Sequence, residues 1–373
     1  LETGPPPDWE PVSPPDLRVT SVNAASQQAF AAAGAWAGMA GRRCCPFRRL
    51  RVWAQSGQGE TAFSADELGV ERLGDFVENR IIQLALWERL AGLPAVRRFC
   101  PARPVAVEPT GASEVELTLD DGRRLCGRLV VGADGARSSV RTLAGIGVEQ
   151  HDYRQQAMII NVATRLPQQD VTWQCFTADG PLAFLPLQGA CASLVWYGRP
   201  DQVRQRLALS DAALLESLES AFPADLGGVQ AILGRGSFPI RRLHARRYRS
   251  YRLALAGDAA HVIHPLAGQG LNLGIQDVID LYRRIVRAMA HGGDPGAPGL
   301  LAGYEARRRP ANLAMMMAMS SFHRLFTHDG AALRRAGALG LGLADHLGPA
   351  KRLALRHALG LSALAGGGLA AAD

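Results

Sequence analysis

Lysine is nearly absent from this chain. Of the 41 basic residues among 373, only Lys351 is a lysine, so a formal net charge of +7 is carried almost wholly by arginine. The arginines are scattered, with only short clusters such as Arg42-Arg43 and Arg307-Arg308-Arg309, and aromatic residues make up only 6% of the chain. A nucleic-acid surface needs a basic stripe with interleaved aromatics, so no nucleic-acid partner is indicated. The six cysteines, Cys44, Cys45, Cys100, Cys126, Cys175 and Cys191, form no CxxC pair and no Cys/His ligand spacing. That pattern indicates neither a metal site nor a disulfide framework, and it fits a reducing cytoplasm. No run approaches the roughly 18 consecutive apolar residues of a spanning helix, and the first residues lack a charged-then-apolar leader. The expected location is cytoplasmic, with at most peripheral contact with the inner membrane. A further absence bears on ligand binding: there is no GxGxxG, the strand-to-helix turn that opens many dinucleotide-binding lobes.

What is present is 47% hydrophobic, enough for a sizeable core divided into two or three lobes. The most informative stretch is LALAGDAAHVIHPLAGQGLNLGIQD, residues 253–277. Its first four residues read as a short buried strand, and Asp258 follows Gly257 at the carboxyl end, where a carboxylate in a parallel sheet faces the ligand crevice. Gly268, Gly270 and Gly274 let the backbone come close to a flat ligand, while N–H groups opening a helix around Leu271 and Asn272 offer positive partial charge. A second apolar strand, Leu129-Val130-Val131, runs into Gly132-Ala133-Asp134-Gly135, then Ser138 and Arg141. Asp134 is placed to hold that loop through backbone N–H groups, and the planar fork of Arg141 suits a pyrophosphate. Taken singly, each segment also reads as a structural glycine turn or an Asp-capped loop.

Together, GDAAHxxxPxxGQGxN and DGxxSxxR resemble the second FAD motif and the DG motif of the class A flavoprotein monooxygenases. DLRVTSVNAASQ, RCCPFRRLRVW, FVENRIIQLALW, TWQCFTADGPLAFLPL and ASLVWY are similar, within that family, to the ubiquinone-biosynthesis hydroxylases, and the resemblance runs from residue 1 to about residue 361. It implies an α/β (α+β) fold with a p-hydroxybenzoate-hydroxylase-like, Rossmann-like FAD domain at 1–47, 77–147 and 251–290. An antiparallel-sheet substrate domain at 48–76 and 148–250 and a helical region at 291–373 complete it. The implied reaction is FAD-dependent hydroxylation of a polyprenylated benzoquinol or phenol ring, using O2 and NAD(P)H, through a flavin C4a-hydroperoxide. RCCPFRRL and ASLVWYGRP resemble the members acting on the last open carbon of 2-polyprenyl-3-methyl-6-methoxy-1,4-benzoquinol.

By the same resemblance Glu2 is the ribose-binding acid, Arg18 lies against FAD, and Arg80 reaches its ribityl or phosphate region. Gly257, Asp258, Gly268, Gly270, Leu271 and Asn272 then hold the flavin end, Asp134, Gly135 and Arg141 serve FAD and the nicotinamide donor, and His264 and Pro265 approach the substrate. His261 and His264 read equally as packed histidines, Glu2 as a plain terminal residue, and Arg18 and Arg80 as surface or helix-end arginines. In the family a strand, glycine loop and helix precede the Glu2 position. That unit is expected before residue 1, and a chain without it is expected to hold FAD poorly. Other ubiquinone-biosynthesis proteins are expected partners. Three alternatives stay open: hydroxylation of another ring position or another aromatic substrate, a halogenase or prenyl reductase on the same scaffold, although the WxWxIP of halogenases is absent, and a non-catalytic component of a biosynthetic complex.

Elsewhere, Asn23 is expected to open a helix over 24–36, and 49–63 to form a hairpin around Ser56-Gly57. A helix is expected over 79–90, with Ile82, Ala85, Leu86 and Leu90 on its inner face, and a hairpin turn at Asp120-Asp121-Gly122. Strands are expected at 157–163, 171–177, 182–187 and 192–197, a helix near 211–222, and Trp173, Phe176, Phe184 and Trp196 are candidates to line an apolar cavity, or to be core. A long helix follows the Gly/Pro break at 292–299, bent at Pro310 and rich in methionine at 314–319, and 351–361 reads as a basic and apolar amphipathic helix.

Overall fold

The computed structural model describes residues 1–55, 59–223 and 228–327, with single helical positions at Gly337, Gly340 and Arg356. Apart from Arg356, the amphipathic segment at 351–361 and the tip of the Ser56-Gly57 hairpin therefore lie outside the described residues. The chain packs as two units. One comprises Leu1–Pro6, Leu90–Tyr153 and Arg241–Met319, the other Pro7–Arg89, Arg154–Ile240 and Ser320–Asp373.

The first unit is organised around a parallel pair of short strands, Val130–Gly132 and Leu253–Leu255, in which Leu253 lies opposite Val130 and Leu255 opposite Gly132. Arg249–Ser250 adds an antiparallel edge. Leu253, Ala254 and Leu255 are fully buried, as expected of a parallel strand covered on both faces. They pack with Val140, Tyr248, Leu281 and Tyr304; the last two come from the helices Gly270–Ala290 and Pro298–Thr327. The Tyr304 hydroxyl donates to the Leu255 carbonyl at 2.7 Å, fastening the long helix to the strand. The break between these helices falls where the Gly/Pro content places it, and the second helix is continuous through Pro310. A separate antiparallel sheet of Pro104–Thr110, Glu114–Leu119 and Arg124–Gly127 turns at Gly122, whose φ of 86° suits a residue without Cβ.

The second unit is built on its share of a large sheet, in the order 229–240, 154–164, Cys191–Gly198, Gly180–Leu187, Val171–Thr177, Arg49–Ala54, Glu60–Ser64. The pairing is antiparallel along Val148–Thr164, Cys191–Gly198, Gly180–Leu187 and Val171–Thr177, and the join of Val171–Thr177 to Arg49–Ala54 is parallel. One face buries Met158, Ile160, Trp173, Phe184 and Leu194 against Val203, Leu214 and Leu218 of the helices Pro200–Leu207 and Asp211–Ala221. Trp173 and Phe184 stack at 5.8 Å within that core, and buried Phe176 stacks on Phe326 at 4.2 Å. These three aromatics are packing residues rather than an open lining; Trp196, partly buried beside them, carries the Arg206 guanidinium at 4.0 Å.

A small sheet of Val19–Val22, Gly74–Glu78 and Cys44–Phe47 has no counterpart in the sequence reading. The helix opened by Asn23, whose side chain accepts the Ser26 N–H at 3.0 Å, also differs: it ends at Ala32 instead of Trp36. Gly34 takes a φ of 75°, and a second helix starts at Trp36. In Asn79–Ala91 the buried residues are Ile81, Ile82 and Ala85, while Leu90 is exposed.

Candidate active site

Two loops leave the carboxyl ends of the parallel pair in the first unit. After Val130–Gly132, Asp134 accepts the Val140 N–H at 3.0 Å and the Ser138 hydroxyl, while Ser138 caps the helix Ser139–Leu143 through the Arg141 N–H at 2.9 Å. Asp134 thus closes the loop on itself. Gly135 adopts φ of 78°, and a Cβ there would meet nothing within 4 Å, so its outer side is open. Arg141 is buried, and its fork spans the two loops: Nη1 donates to the Ala259 carbonyl at 2.8 Å and Nη2 to the Ala136 carbonyl at 2.9 Å. The arginine proposed for a pyrophosphate is therefore engaged as a staple between DG loop and GDAAH loop. Burial pulls its pKa down.

The second loop follows Leu253–Leu255. Gly257 has φ of 61°, and Asp258 beyond it is exposed at the strand end. The helix Gly270–Ala290 crosses this loop at glycine-to-glycine distance: a Cβ on Gly274 would lie 3.1 Å from the Gly257 Cα. Gly274→Val is expected to force loop and helix apart at a cost of about 1–3 kcal/mol, read as a lowered urea midpoint. An unchanged midpoint would show that the close approach is not required. The intrahelical ladder begins with Leu273 N to Gln269 O at 3.1 Å, after the N–H groups of Gly270, Leu271 and Asn272, and Gln269 provides no side-chain cap. A Cβ on Gly270 would again meet nothing within 4 Å. Gly268, with φ of 63°, turns the chain into that helix.

Between these elements, His261 is buried with its Nε2 2.5 Å from an Asp277 oxygen and stacks on Tyr248, a packed histidine. His264 is also buried, with the Tyr153 ring edge-on at 4.8 Å. The Pro265 carbonyl accepts the Gly268 N–H at 3.2 Å. Glu2 belongs to the same unit, where its backbone pairs with Phe99 and Ala102 and its carboxylate accepts the Thr3 N–H at 2.8 Å.

Arg18 and Arg80 lie in the second unit, side by side at the mouth of the helix Asn79–Ala91. Asp16 accepts the backbone N–H of Arg18 at 3.2 Å and of Arg80 at 3.3 Å, and the Arg18 carbonyl accepts the Asn79 N–H at 2.8 Å. Asp16 is in turn held through its own N–H by buried Glu78 at 2.7 Å, and Glu78 pairs with Arg43 at 2.8 Å. Burial raises the Glu78 pKa, opposed by the Asp16 N–H and the Arg43 charge. Asp16, Glu78 and Arg43 were missed by sequence reasoning; the DLR and ENR strings containing two of them were the available signal.

Among the described residues no group of three or more His, Cys, Asp or Glu could hold a metal, and no described helix is long and apolar enough to cross a membrane. An FAD ring and its ribityl chain fit the residues present. The donors of an uncapped helix start, an exposed carboxylate at a parallel strand end, and glycines whose missing Cβ atoms face open space form a cradle for a flat ligand.

Comparison with known proteins agrees. Residues 108–319 match the FAD binding domain family. The chain is 42% identical over 352 residues to the 3-demethoxyubiquinol 3-hydroxylase of Escherichia coli K12, covering 94% of this chain and 88% of that protein. It is 40% identical to the ubiquinone hydroxylase UbiL of Rhodospirillum rubrum, covering 92% and 80%. The p-nitrophenol 4-monooxygenase of Pseudomonas putida DLL-E4 shares the fold, with a TM-score of 0.75 at 17% identity over 96% of this chain and 90% of that one. With the FAD domain matched over more than half its length and a hydroxylase matched nearly end to end, the chain belongs to the ubiquinone-biosynthesis hydroxylases of the FAD-dependent monooxygenase family.

Proposed function

We propose that this enzyme hydroxylates a polyprenylated benzoquinol ring, that of 2-polyprenyl-3-methyl-6-methoxy-1,4-benzoquinol, with FAD as cofactor, O2 as co-substrate and NAD(P)H as electron donor. One observation carries the placement of the cofactor: Arg141 ties the DG loop to the GDAAH loop, so that Gly135, Asp258 and the Gly270 helix start belong to one cradle. Bound FAD supplies the redox chemistry with O2 that no amino-acid side chain can. The chain's own residues bind and orient. The N–H groups of Gly270, Leu271 and Asn272 present positive partial charge to the carbonyl edge of the ring system. Asp258 accepts from ribityl hydroxyls, and Glu2 from those of the adenosine ribose. Buried His264 is the group offered to a ring hydroxyl proton, with the second lone pair of the Pro265 carbonyl as its partner acceptor. In this assignment 1–47, 77–147 and 251–290 bind FAD and 48–76 and 148–250 the substrate, in a cytoplasmic enzyme touching the inner membrane peripherally and working beside other ubiquinone-biosynthesis proteins.

The ring position rests on RCCPFRRL and ASLVWYGRP and on what the Escherichia coli relative's name says of that relative. The test is complementation of strains blocked at each quinone-ring hydroxylation, with intermediates followed by mass spectrometry. Restoration at the demethoxyubiquinol step is expected. Restoration at a different step reassigns the ring carbon, and restoration at none, with protein purified free of flavin, overturns the reading in favour of a non-catalytic component.

A further inference from the structure

A fully buried carboxylate lies directly behind the GDAAH loop. Asp277, in the helix Gly270–Ala290, divides its two oxygens between different parts of the first unit. Oδ2 accepts the Gly257 N–H at 3.2 Å and meets His261 Nε2 at 2.5 Å. Oδ1 accepts Arg308 Nε at 2.7 Å and Asn312 Nδ2 at 2.9 Å, both from the long helix Pro298–Thr327. The network runs on through Arg308 Nη2 to Asn312 Oδ1 at 3.0 Å, Asn312 to the Tyr248 hydroxyl at 3.3 Å, and Tyr248 to His244 at 3.1 Å. Burial alone would push the Asp277 carboxyl up, yet the His261 contact and the Arg308 charge hold it below the usual carboxylate range, so it is ionised.

Helix-to-helix cohesion does not require such a group, because apolar residues of similar volume commonly serve as well as a buried ion network or better. What an apolar residue cannot do is hold a backbone N–H of the loop while balancing an arginine. We propose that Asp277 is a positioning residue for the flavin: through Oδ2 it fixes Gly257 in its left-handed conformation, and through its charge, balanced by Arg308, it sets the potential of the bound ring. This rests on the placement of FAD against the Gly257-Asp258 loop.

Asp277→Asn separates the two roles. The amide keeps one acceptor oxygen, which the Arg308 guanidinium claims, and turns its NH2 toward the Gly257 N–H, donor facing donor. The loop is released and one negative charge behind it disappears. FAD affinity is expected to fall about tenfold, equivalent to about 1.4 kcal/mol. The flavin midpoint potential is expected to rise, because the anionic reduced ring no longer opposes a nearby carboxylate. Arg308→Gln is expected to shift the potential the other way. The double variant should return the potential toward the parent value while affinity stays weak, a split that mere loosening of the fold does not produce.

The measurements are FAD titration of apoprotein and a spectroelectrochemical midpoint on the full-length holoprotein. Parental affinity and potential in folded Asp277→Asn overturn the proposal, as do potential shifts of the same sign in both single variants. If Asp277→Asn does not fold, Arg308→Gln must lower the potential and Arg308→Lys must hold it, or the proposal fails. Asp258→Ala is the control for placement. Loss of FAD there with no effect at Asp277 sinks this inference alone, whereas no effect at either position sinks the cofactor placement with it.

Discussion

Arg141→Met is expected to fold and to bind FAD about a hundredfold more weakly, about 2.7 kcal/mol. Methionine keeps an unbranched apolar stem in the buried site, so packing around the side chain is largely retained. The Ala136 and Ala259 carbonyls, however, lose their donors at 2.9 and 2.8 Å. Ala136 is exposed and its carbonyl can turn to water, but leaving the carbonyl of buried Ala259 unsatisfied costs about 1–3 kcal/mol, and the loss appears in cofactor affinity because only the stapled pair of loops presents Gly135 and Asp258 together. Arg141→Lys recovers little, since one ammonium on a flexible stem does not replace a planar fork reaching in two directions. Loss of a direct phosphate contact by Arg141 would also weaken FAD binding. Riboflavin, which lacks phosphate, distinguishes the two. A broken staple weakens riboflavin and FAD alike, whereas a lost phosphate contact spares riboflavin. Parental affinity for both flavins in Arg141→Met would show that the staple does not set the cradle.

The parts of this site legible in sequence are those written within about 25 consecutive residues. Strand, acid, glycine loop and helix start follow one another in 253–277 and again in 129–141, and each obeys local rules of periodicity, capping and left-handed backbone. Partners arriving from distant segments were not legible. Nothing in the sequence near Gly257 announces that Arg308 and Asn312 close the Asp277 network, or that the fork of Arg141 would be taken by the Ala259 carbonyl, 118 residues away. The three-stranded sheet of Val19–Val22, Gly74–Glu78 and Cys44–Phe47 was missed because its strands are four or five residues long and one is buried throughout, leaving no alternation to read. The helix from Ala24 was overextended for the opposite reason. The alanine run in AAAGAWAGMA favours helix at every step except Gly34 and Gly38, and a glycine is tolerated in a helix, as Gly38 is, unless tertiary context turns it to positive φ, as at Gly34.

Periodicity likewise left Trp173 open as either cavity lining or core, and the two make different predictions. Trp173 is 1% exposed, stacked on Phe184 and tilted against Trp53 at 5.1 Å and Phe222 at 5.6 Å. Trp173→Ala is therefore expected to cost about 3–5 kcal/mol of stability, a large share of the 5–15 kcal/mol typical of a folded domain. The indole N–H is buried and has no hydrogen-bond partner among the described residues. Trp173→Phe removes that unsatisfied donor along with the lost volume, so its cost is expected to stay below about 1.5 kcal/mol. Urea unfolding measures both. Steady-state hydroxylation of a short-tailed quinol, at a temperature where Trp173→Ala remains folded, measures whether the side chain touches substrate. Core packing predicts a lowered midpoint with KM unchanged. A raised KM at an undiminished midpoint would place the indole in the substrate pocket instead, because a lining residue gives up ligand contact on truncation while a core residue gives up its neighbours in the fold.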